Sequence, residues 1–142
     1  MFPAPDPVVL YDGECGLCNR VIRVLMRWDR AGRMRYSPLQ REPAKGFLAR
    51  HGLPEDELST VYFVPDWGRQ DRKDFRSHSD AVAAALRVCG GIAGIVGAML
   101  TWVPRPVRDA GYAAVGHARY RMFGPWRDRP LPRPEWRSRI IL

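Results

Sequence analysis

The chain contains, near its start, the stretch Val8-Val9-Leu10-Tyr11-Asp12-Gly13-Glu14-Cys15-Gly16-Leu17-Cys18-Asn19. It has an apolar run with β-strand character, then an Asp-Gly turn, then two cysteines at the start of an amphipathic helix. A cysteine in the first turn of a helix faces unpaired backbone N–H groups and the positive end of the helix dipole. Both favour the thiolate, which is the form that attacks disulfides. The stretch therefore predicts a redox-active dithiol, with Cys15 exposed and Cys18, one helical turn later, shielded.

Other interpretations of the cysteine pair depend on how many further cysteines and histidines the chain contains. A structural zinc ion usually needs four Cys or His ligands, often as two close pairs. The chain adds only one cysteine and three scattered histidines, which are Cys89, His51, His78 and His117. Three cysteines in a chain of 142 residues do not form a disulfide scaffold. An inert pair of buried residues stays open as an alternative. We expect redox chemistry without a metal ion or a cofactor.

Length and composition predict one compact domain with appendages, because 142 residues with 46% hydrophobic side chains can bury one core. Residues 1–7 have neither the basic segment nor the apolar segment of an export signal. The longest apolar stretch, residues 92–103, is too short to cross a bilayer. We therefore expect a cytoplasmic protein without a transmembrane segment.

The order of predicted elements indicates the fold class. The predicted strands cover residues 8–11, 34–37, 60–64 and, more weakly, 74–76, and the helices cover residues 16–30, 43–51 and 79–89, the last capped by Ser79-Asp80. The resulting order, β-α-β-α-β-β-α, is that of the thioredoxin core. We expect an α/β fold with a thioredoxin-like mixed sheet flanked by helices.

Residues 92–102 and 107–123 predict two further helices, separated at Pro104-Arg105-Pro106. We expect three parts: a thioredoxin-like core over residues 1–89, a helical extension packed on it over residues 90–124, and a basic tail rich in Pro and Arg over residues 125–142. The tail is expected to lie extended over the surface or to be mobile, and to be dispensable for folding.

Residues 11–19 resemble the signature of the DCC-type thiol-disulfide oxidoreductases, the DUF393 family, which is named for an Asp-Gly-x-Cys-x-x-Cys motif. Further matching segments are residues 28–36, 39–40, 79–81, 90–91, 104–109, 112 and 119–124. The resemblance implies a thioredoxin-like fold and oxidoreductase activity. It carries the aspartate and the two cysteines of the family over onto Asp12, Cys15 and Cys18.

The expected mechanism is thiol–disulfide exchange. Cys15 attacks a disulfide-containing substrate to give a mixed disulfide, and Cys18 then attacks Cys15 and releases the reduced substrate. An electron donor of unknown identity must restore the dithiol. Two roles stay open for Asp12, which either shapes the turn or accepts a proton from Cys18.

The charge pattern suggests a second kind of function. The net charge is +8, and residues 104–142 contain nine arginines against two aspartates and one glutamate. This excess is either a solvated basic face or a binding surface for an anionic partner. Nucleic acid is disfavoured as a partner because the chain has no recognition motif for it. The alternative function is thus a non-catalytic thioredoxin-like module that binds an acidic protein or a membrane surface through its basic C-terminal part.

Overall fold

A computed structural model of the protein describes residues 7–13, 15–30, 32–53, 61–69, 74–123 and 139–141. The strands are β1 (Val8–Tyr11), β2 (Arg35–Pro38), β3 (Tyr62–Val64) and β4 (Arg76–Ser77). The α-helices are α1 (Gly16–Trp28), α2 (Glu42–Arg50), α3 (His78–Cys89), α4 (Gly91–Trp102) and α5 (Arg105–Phe123). The predicted order of elements is therefore confirmed.

The strands form one mixed sheet in the order β2-β1-β3-β4. β1 is parallel to β2 and antiparallel to β3, and β3 is antiparallel to β4. The parallel pair requires a crossover connection, which α1 provides. Every residue of β1 is buried, because this central strand is covered on both faces. This architecture confirms the α/β prediction and is consistent with a thioredoxin-like fold.

Alternate residues of each strand point to opposite faces of the sheet, so the sheet separates two apolar layers. On one face, Val9, Tyr11 and Phe63 pack with α1, α3 and Ala93 of α4. On the other face, Val8, Leu10 and their neighbours in β3 pack with α2. The end of β1 and the start of α1 therefore lie at the edge of the first layer, where the cysteine pair is.

The start of α3 differs from the prediction. α3 begins at His78, with Ser77 as the N-cap residue, so the prediction that Ser79-Asp80 caps this helix is wrong. These two side chains instead bind α5. The Ser79 hydroxyl donates to Asp109 Oδ1 at 2.6 Å, and Asp80 forms ion pairs with Arg105 and Arg108.

The ion pairs of Asp80 also set its protonation. Burial acts to raise the pKa of the Asp80 carboxyl, but the hydrogen bonds and charges of Arg108 and Arg105 outweigh burial and hold the pKa below its usual range. Asp80 therefore stays ionised and joins the start of α3 to α5.

The two helices after residue 90 contact the rest of the described structure. α4 packs along α3, and α5 contacts both α1 and α3. None of the helices in the described ranges has the length and apolar content that crossing a bilayer takes. The division of the chain into a core over residues 1–89, an extension over residues 90–124 and a tail over residues 125–142 stays a prediction.

The end of the chain pairs with the sheet edge. Ile140 forms a parallel bridge with Tyr36 of β2, and the backbone N–H of Ile141 donates to the Tyr36 carbonyl at 2.7 Å. Ser37 Oγ donates to the Ile141 carbonyl at 3.0 Å. Residues 125–138 of the predicted tail lie outside the described residues. The hydrogen bonds of residues 139–141 with the sheet edge argue against a dispensable tail.

Candidate redox site

Cys15 occupies the N-cap position of α1. Its backbone is extended, and its Sγ accepts a hydrogen bond from the backbone N–H of Cys18 at 3.5 Å. The Cys15 carbonyl in turn accepts the N–H of Asn19 at 3.1 Å. A backbone donor directed at the sulfur stabilises negative charge on it, as expected at a helix N-terminus. The local geometry of the motif is thus the one that the sequence predicts.

The exposure of the two thiols is the reverse of the prediction. The Cys15 side chain is 0% exposed, whereas Cys18 is only partly buried. The expectation of an exposed Cys15 and a shielded Cys18 is wrong, because the N-cap lies where the chain leaves the buried central strand. One helical turn later, Cys18 is in the wall of an apolar cavity. Both residues are free cysteines, as is Cys89.

Asp12 is buried directly before the turn, with 0% of its surface exposed. Its backbone carbonyl accepts the N–H of Cys15 at 3.3 Å, so it shapes the turn. Its carboxylate Oδ1 accepts a hydrogen bond from Gln40 Nε2 at 2.7 Å. Asp12 therefore shapes the turn before Cys15 with its backbone and carries a buried carboxylate that is bound to Gln40.

Gln40 is the residue of this site that the sequence reasoning missed. Its amide binds the turn twice, because Oε1 also accepts the N–H of Gly13 at 3.0 Å. A Cβ at Gly13 would lie 3.0 Å from Gln40 Oε1 and 3.0 Å from the Cβ of Pro38, which explains the glycine there. Gln40 belongs to one of the short segments that carry the family resemblance, and this was the only signal for it.

Asn19 holds the other side of the turn. Its Nδ2 donates to the carbonyl oxygens of Gly13 and Cys15, both at 2.9 Å. The sequence contains this residue in the motif but indicates no role for it. The loop that carries Cys15 is thus tied to α1 by Asn19 and to the end of β2 by Gln40.

A cavity of about 450 Å³ opens beside Cys18, between α1, α3 and the two C-terminal helices. Its volume lies within the range of small-molecule sites, and most of its lining is apolar. Apolar lining residues include Leu17, Val21, Val82, Leu100, Val107 and Val115. Tyr11 also lines it, and burial raises the pKa of its phenol to about 12, with Arg23 lowering and Cys18 raising it. Whatever approaches Cys18 from this side meets an apolar surface.

Cys89 lies at the end of α3 and packs against the apolar layer that contains α1. Its Sγ lies 3.8 Å from the carbonyl oxygen of Leu25. Burial, together with the charge of Asp29, raises the pKa of the Cys89 thiol to about 11. These surroundings favour a protonated packing residue.

Metal-ligating side chains do not cluster among the residues that the structure describes, since no group of three or more His, Cys, Asp or Glu could hold an ion there. His51 packs against the rings of Phe47 and Phe75, and His78 against Tyr112. The side chain of His117 lies outside the described residues. The described histidines thus make ring contacts within the fold.

Comparisons with known proteins connect this geometry to a family. The family model of the DCC1-like thiol-disulfide oxidoreductases matches residues 9–125. YuxK of Bacillus subtilis, an uncharacterized protein, is 30% identical over 139 residues, which cover 96% of this chain and 95% of YuxK. A chloroplastic DCC family protein of Arabidopsis thaliana is 33% identical over 118 residues, 83% of this chain and 65% of that protein. No solved structure matches significantly. The chain belongs to the DCC1-like thiol-disulfide oxidoreductase family.

Proposed function

We propose that the protein is a thiol–disulfide oxidoreductase in which Cys15 is the nucleophile, Cys18 is the resolving thiol and Asp12 assists proton transfer. The observation that carries the proposal is the hydrogen bond from the Cys18 N–H to Cys15 Sγ at the N-terminus of α1, on a turn that begins with the buried Asp12. The family name supports the reaction class.

The exchange proceeds in two balanced steps. The Cys15 thiolate attacks one sulfur of the substrate disulfide, the substrate S–S bond breaks, and the departing sulfur takes up a proton from water. Cys18 then gives its proton to Asp12 and attacks Cys15 Sγ, which breaks the mixed disulfide, and the second substrate sulfur leaves with the proton that Asp12 received. The substrate gains two electrons and two protons, and the protein is left with a Cys15–Cys18 disulfide. A dithiol reductant then returns the electrons.

The burial of Cys15 affects whether Cys15 can attack the substrate first. A sulfur with 0% exposure reaches a substrate only when its surroundings open locally. The partial exposure of Cys18 favours the reverse order, in which Cys18 attacks first and Cys15 resolves. The position of Cys15 at the helix N-cap supports the first order, and a trapping experiment separates the two.

The cavity beside Cys18 supports a substrate whose disulfide carries an apolar group. The lining offers few polar partners, namely Tyr11, Ser79, Arg108 and Tyr112. A charged substrate group would lose hydration there and find few polar partners to replace it. An aromatic or aliphatic disulfide is therefore the suitable probe.

The test is a redox titration of the full chain, with Cys89→Ser as the background so that only the pair reacts. Alkylation of the thiols should show a two-electron transition between about −270 and about −120 mV, the span of known dithiol enzymes. Cys18→Ser in that background should form the mixed disulfide with dithiodipyridine at Cys15 faster than Cys15→Ser forms it at Cys18. Faster reaction at Cys18 would assign the attack to Cys18. If no Cys15–Cys18 disulfide forms at any potential, the oxidoreductase proposal is wrong and the non-catalytic binding module is favoured.

A further inference from the structure

α4 presents its large apolar side chains to solvent. The helix carries no charged residue, and Ile92 and Trp102 are 83% and 89% exposed. Together with three further exposed residues they form one stripe at helical spacing. This stripe, the α4 face, consists of Ile92, Ile95, Val96, Met99 and Trp102.

The opposite side of α4 explains this orientation. Ala93 and Gly97 are its buried residues, and they face α3. A Cβ at Gly97 would lie 2.8 Å from the Ala83 carbonyl oxygen and 2.9 Å from the Arg87 nitrogen, so the two helix backbones are in close contact. A helix on a soluble protein normally buries its large apolar residues and exposes polar ones. Here close packing through small residues fixes the helix with its large residues outward.

Trp28 of α1 extends the same surface. Trp28 and Arg30 line a cavity together with Ile92 and Val96. Trp28 is itself exposed. Exposed large apolar side chains that lie together in this way mark an interaction surface.

Arginines outnumber acidic residues around the α4 face. Residues 80–109 contain three arginines and two aspartates, of which Asp80 pairs with Arg105 and Arg108, and residues 16–28 contain three arginines and no acidic residue. Arg87 is exposed on α3 beside the middle of α4, and the Arg105 side chain, just after the end of α4, stays 68% exposed although it pairs with Asp80. With a net charge of +8 for the whole chain, the complementary partner is anionic.

We propose that the α4 face binds the surface of an anionic lipid bilayer, with α4 lying in the plane of the interface. A helix of 12 residues is about 18 Å long, which is too short for the roughly 30 Å hydrocarbon core, so it binds at the surface instead of crossing. The apolar side chains enter the boundary between headgroups and acyl chains, where tryptophan is favoured. The flanking arginines meet the lipid phosphates.

A second copy of the chain fits this surface less well. A symmetric dimer through the α4 face would place the same arginines of both copies around one contact. Their repulsion, added to that of two chains with a charge of +8, opposes association. An anionic bilayer neutralises the same charges.

The experiment is vesicle flotation of the full chain with phosphatidylcholine vesicles that contain or lack phosphatidylglycerol. We expect binding to the anionic vesicles to be at least about tenfold tighter, because each arginine near an anionic surface strengthens binding about fivefold. Trp emission should shift to the blue on binding and should be quenched by brominated lipids. Trp102→Phe should reduce that quenching.

The variant Ile95→Asp/Met99→Asp should abolish flotation while leaving the melting temperature unchanged, since both positions are exposed. Gly46→Asp/Ala49→Asp, which adds the same two negative charges at exposed positions of α2 on the other face of the sheet, should leave flotation unchanged. The proposal is overturned if the wild-type chain does not float, or if the α4 variant floats as well as the wild-type chain. If the wild-type chain instead forms a dimer that dissociates in the α4 variant, and does not bind vesicles, the α4 face is the interface with a second copy of the chain.

Discussion

The side chains of Asp12 and Gln40 are joined by a hydrogen bond of 2.7 Å, although 28 residues separate them in the chain. Gln40 also accepts the N–H of Gly13, so one amide holds both the carboxylate and the backbone of the turn that leads to Cys15. The position of the candidate nucleophile is therefore set by a residue at the end of a neighbouring strand.

Replacing Gln40 by leucine should destabilise the fold by about 1–3 kcal/mol, because a buried carboxylate and a backbone N–H both lose a hydrogen-bond partner. Urea unfolding at neutral pH measures the change. Arg41→Ala, at the exposed next position, is the matched control and should stay within about 0.5 kcal/mol of the wild type. Equal stability of Gln40→Leu and the wild type would show that this amide does not hold the turn.

Asp12→Asn should slow the resolution step by about 100-fold, because the amide cannot accept the proton of Cys18. The asparagine oxygen still accepts the Gln40 hydrogen bond, so the free energy of unfolding should change by less than about 1 kcal/mol. The measurement is the rate at which the mixed disulfide is resolved in a single turnover. Asp74→Asn, at an exposed position, is the control. A variant that loses stability but resolves at the normal rate would leave Asp12 only its role in the turn.

Gly97→Ala should destabilise the protein clearly, because its Cβ would lie within 3 Å of backbone atoms of α3 that cannot move aside. Gly94→Ala provides the matched control. Its Cβ would lie 3.6 Å from the nearest atom, so the helix propensity of alanine should make this change neutral or stabilising by up to about 1 kcal/mol. Thermal unfolding of both variants checks the prediction. Equal effects would contradict the close packing of α4 on α3.

Stability should decrease as the pH rises above about 9. Burial raises the pKa of Cys89 from its ordinary 9.0 to about 11 and that of Tyr11 from 10.0 to about 12, so the unfolded chain loses these protons first. The stabilisation is complete below the unfolded pKa values and is lost as the pH rises through the folded ones. Urea unfolding between pH 8 and pH 11 measures this decrease. In Cys89→Ala, the free energy of unfolding should fall less steeply at the lower end of this pH range. If the pH dependence of this variant equals that of the wild type, the burial of the Cys89 thiol is contradicted.

Deletion of residues 139–142 should destabilise the fold by about 1–3 kcal/mol, because it removes the hydrogen bonds of residues 139–141 with β2 and α1. Removal of residue 142 alone is the control. Urea unfolding of both chains gives the difference. A deleted chain that unfolds like the wild type would support the expectation, made from composition, that the tail is dispensable.

The sequence predicted the elements of the fold well, because periodicity and turn residues act between near neighbours in the chain. The strand before the motif begins and ends where expected, at Val8 and Tyr11. The boundaries at α3 were less accurate, since Ser79 and Asp80 look like caps but bind α5. An N-cap residue and a residue that bonds to a distant helix have the same side-chain chemistry, so the sequence cannot separate them.

By itself the sequence determined the order of the elements, the position of the dithiol at a helix N-terminus and the family to which the chain belongs. Only the tertiary structure decided that Cys15 is buried and Cys18 lines a cavity, that Gln40 binds Asp12, and that α4 turns its large apolar residues outward. The physical reason is the range of the interactions. Helix and strand propensities and capping depend on residues a few positions apart, whereas solvent exposure and the contacts of a side chain depend on distant segments that packing brings together.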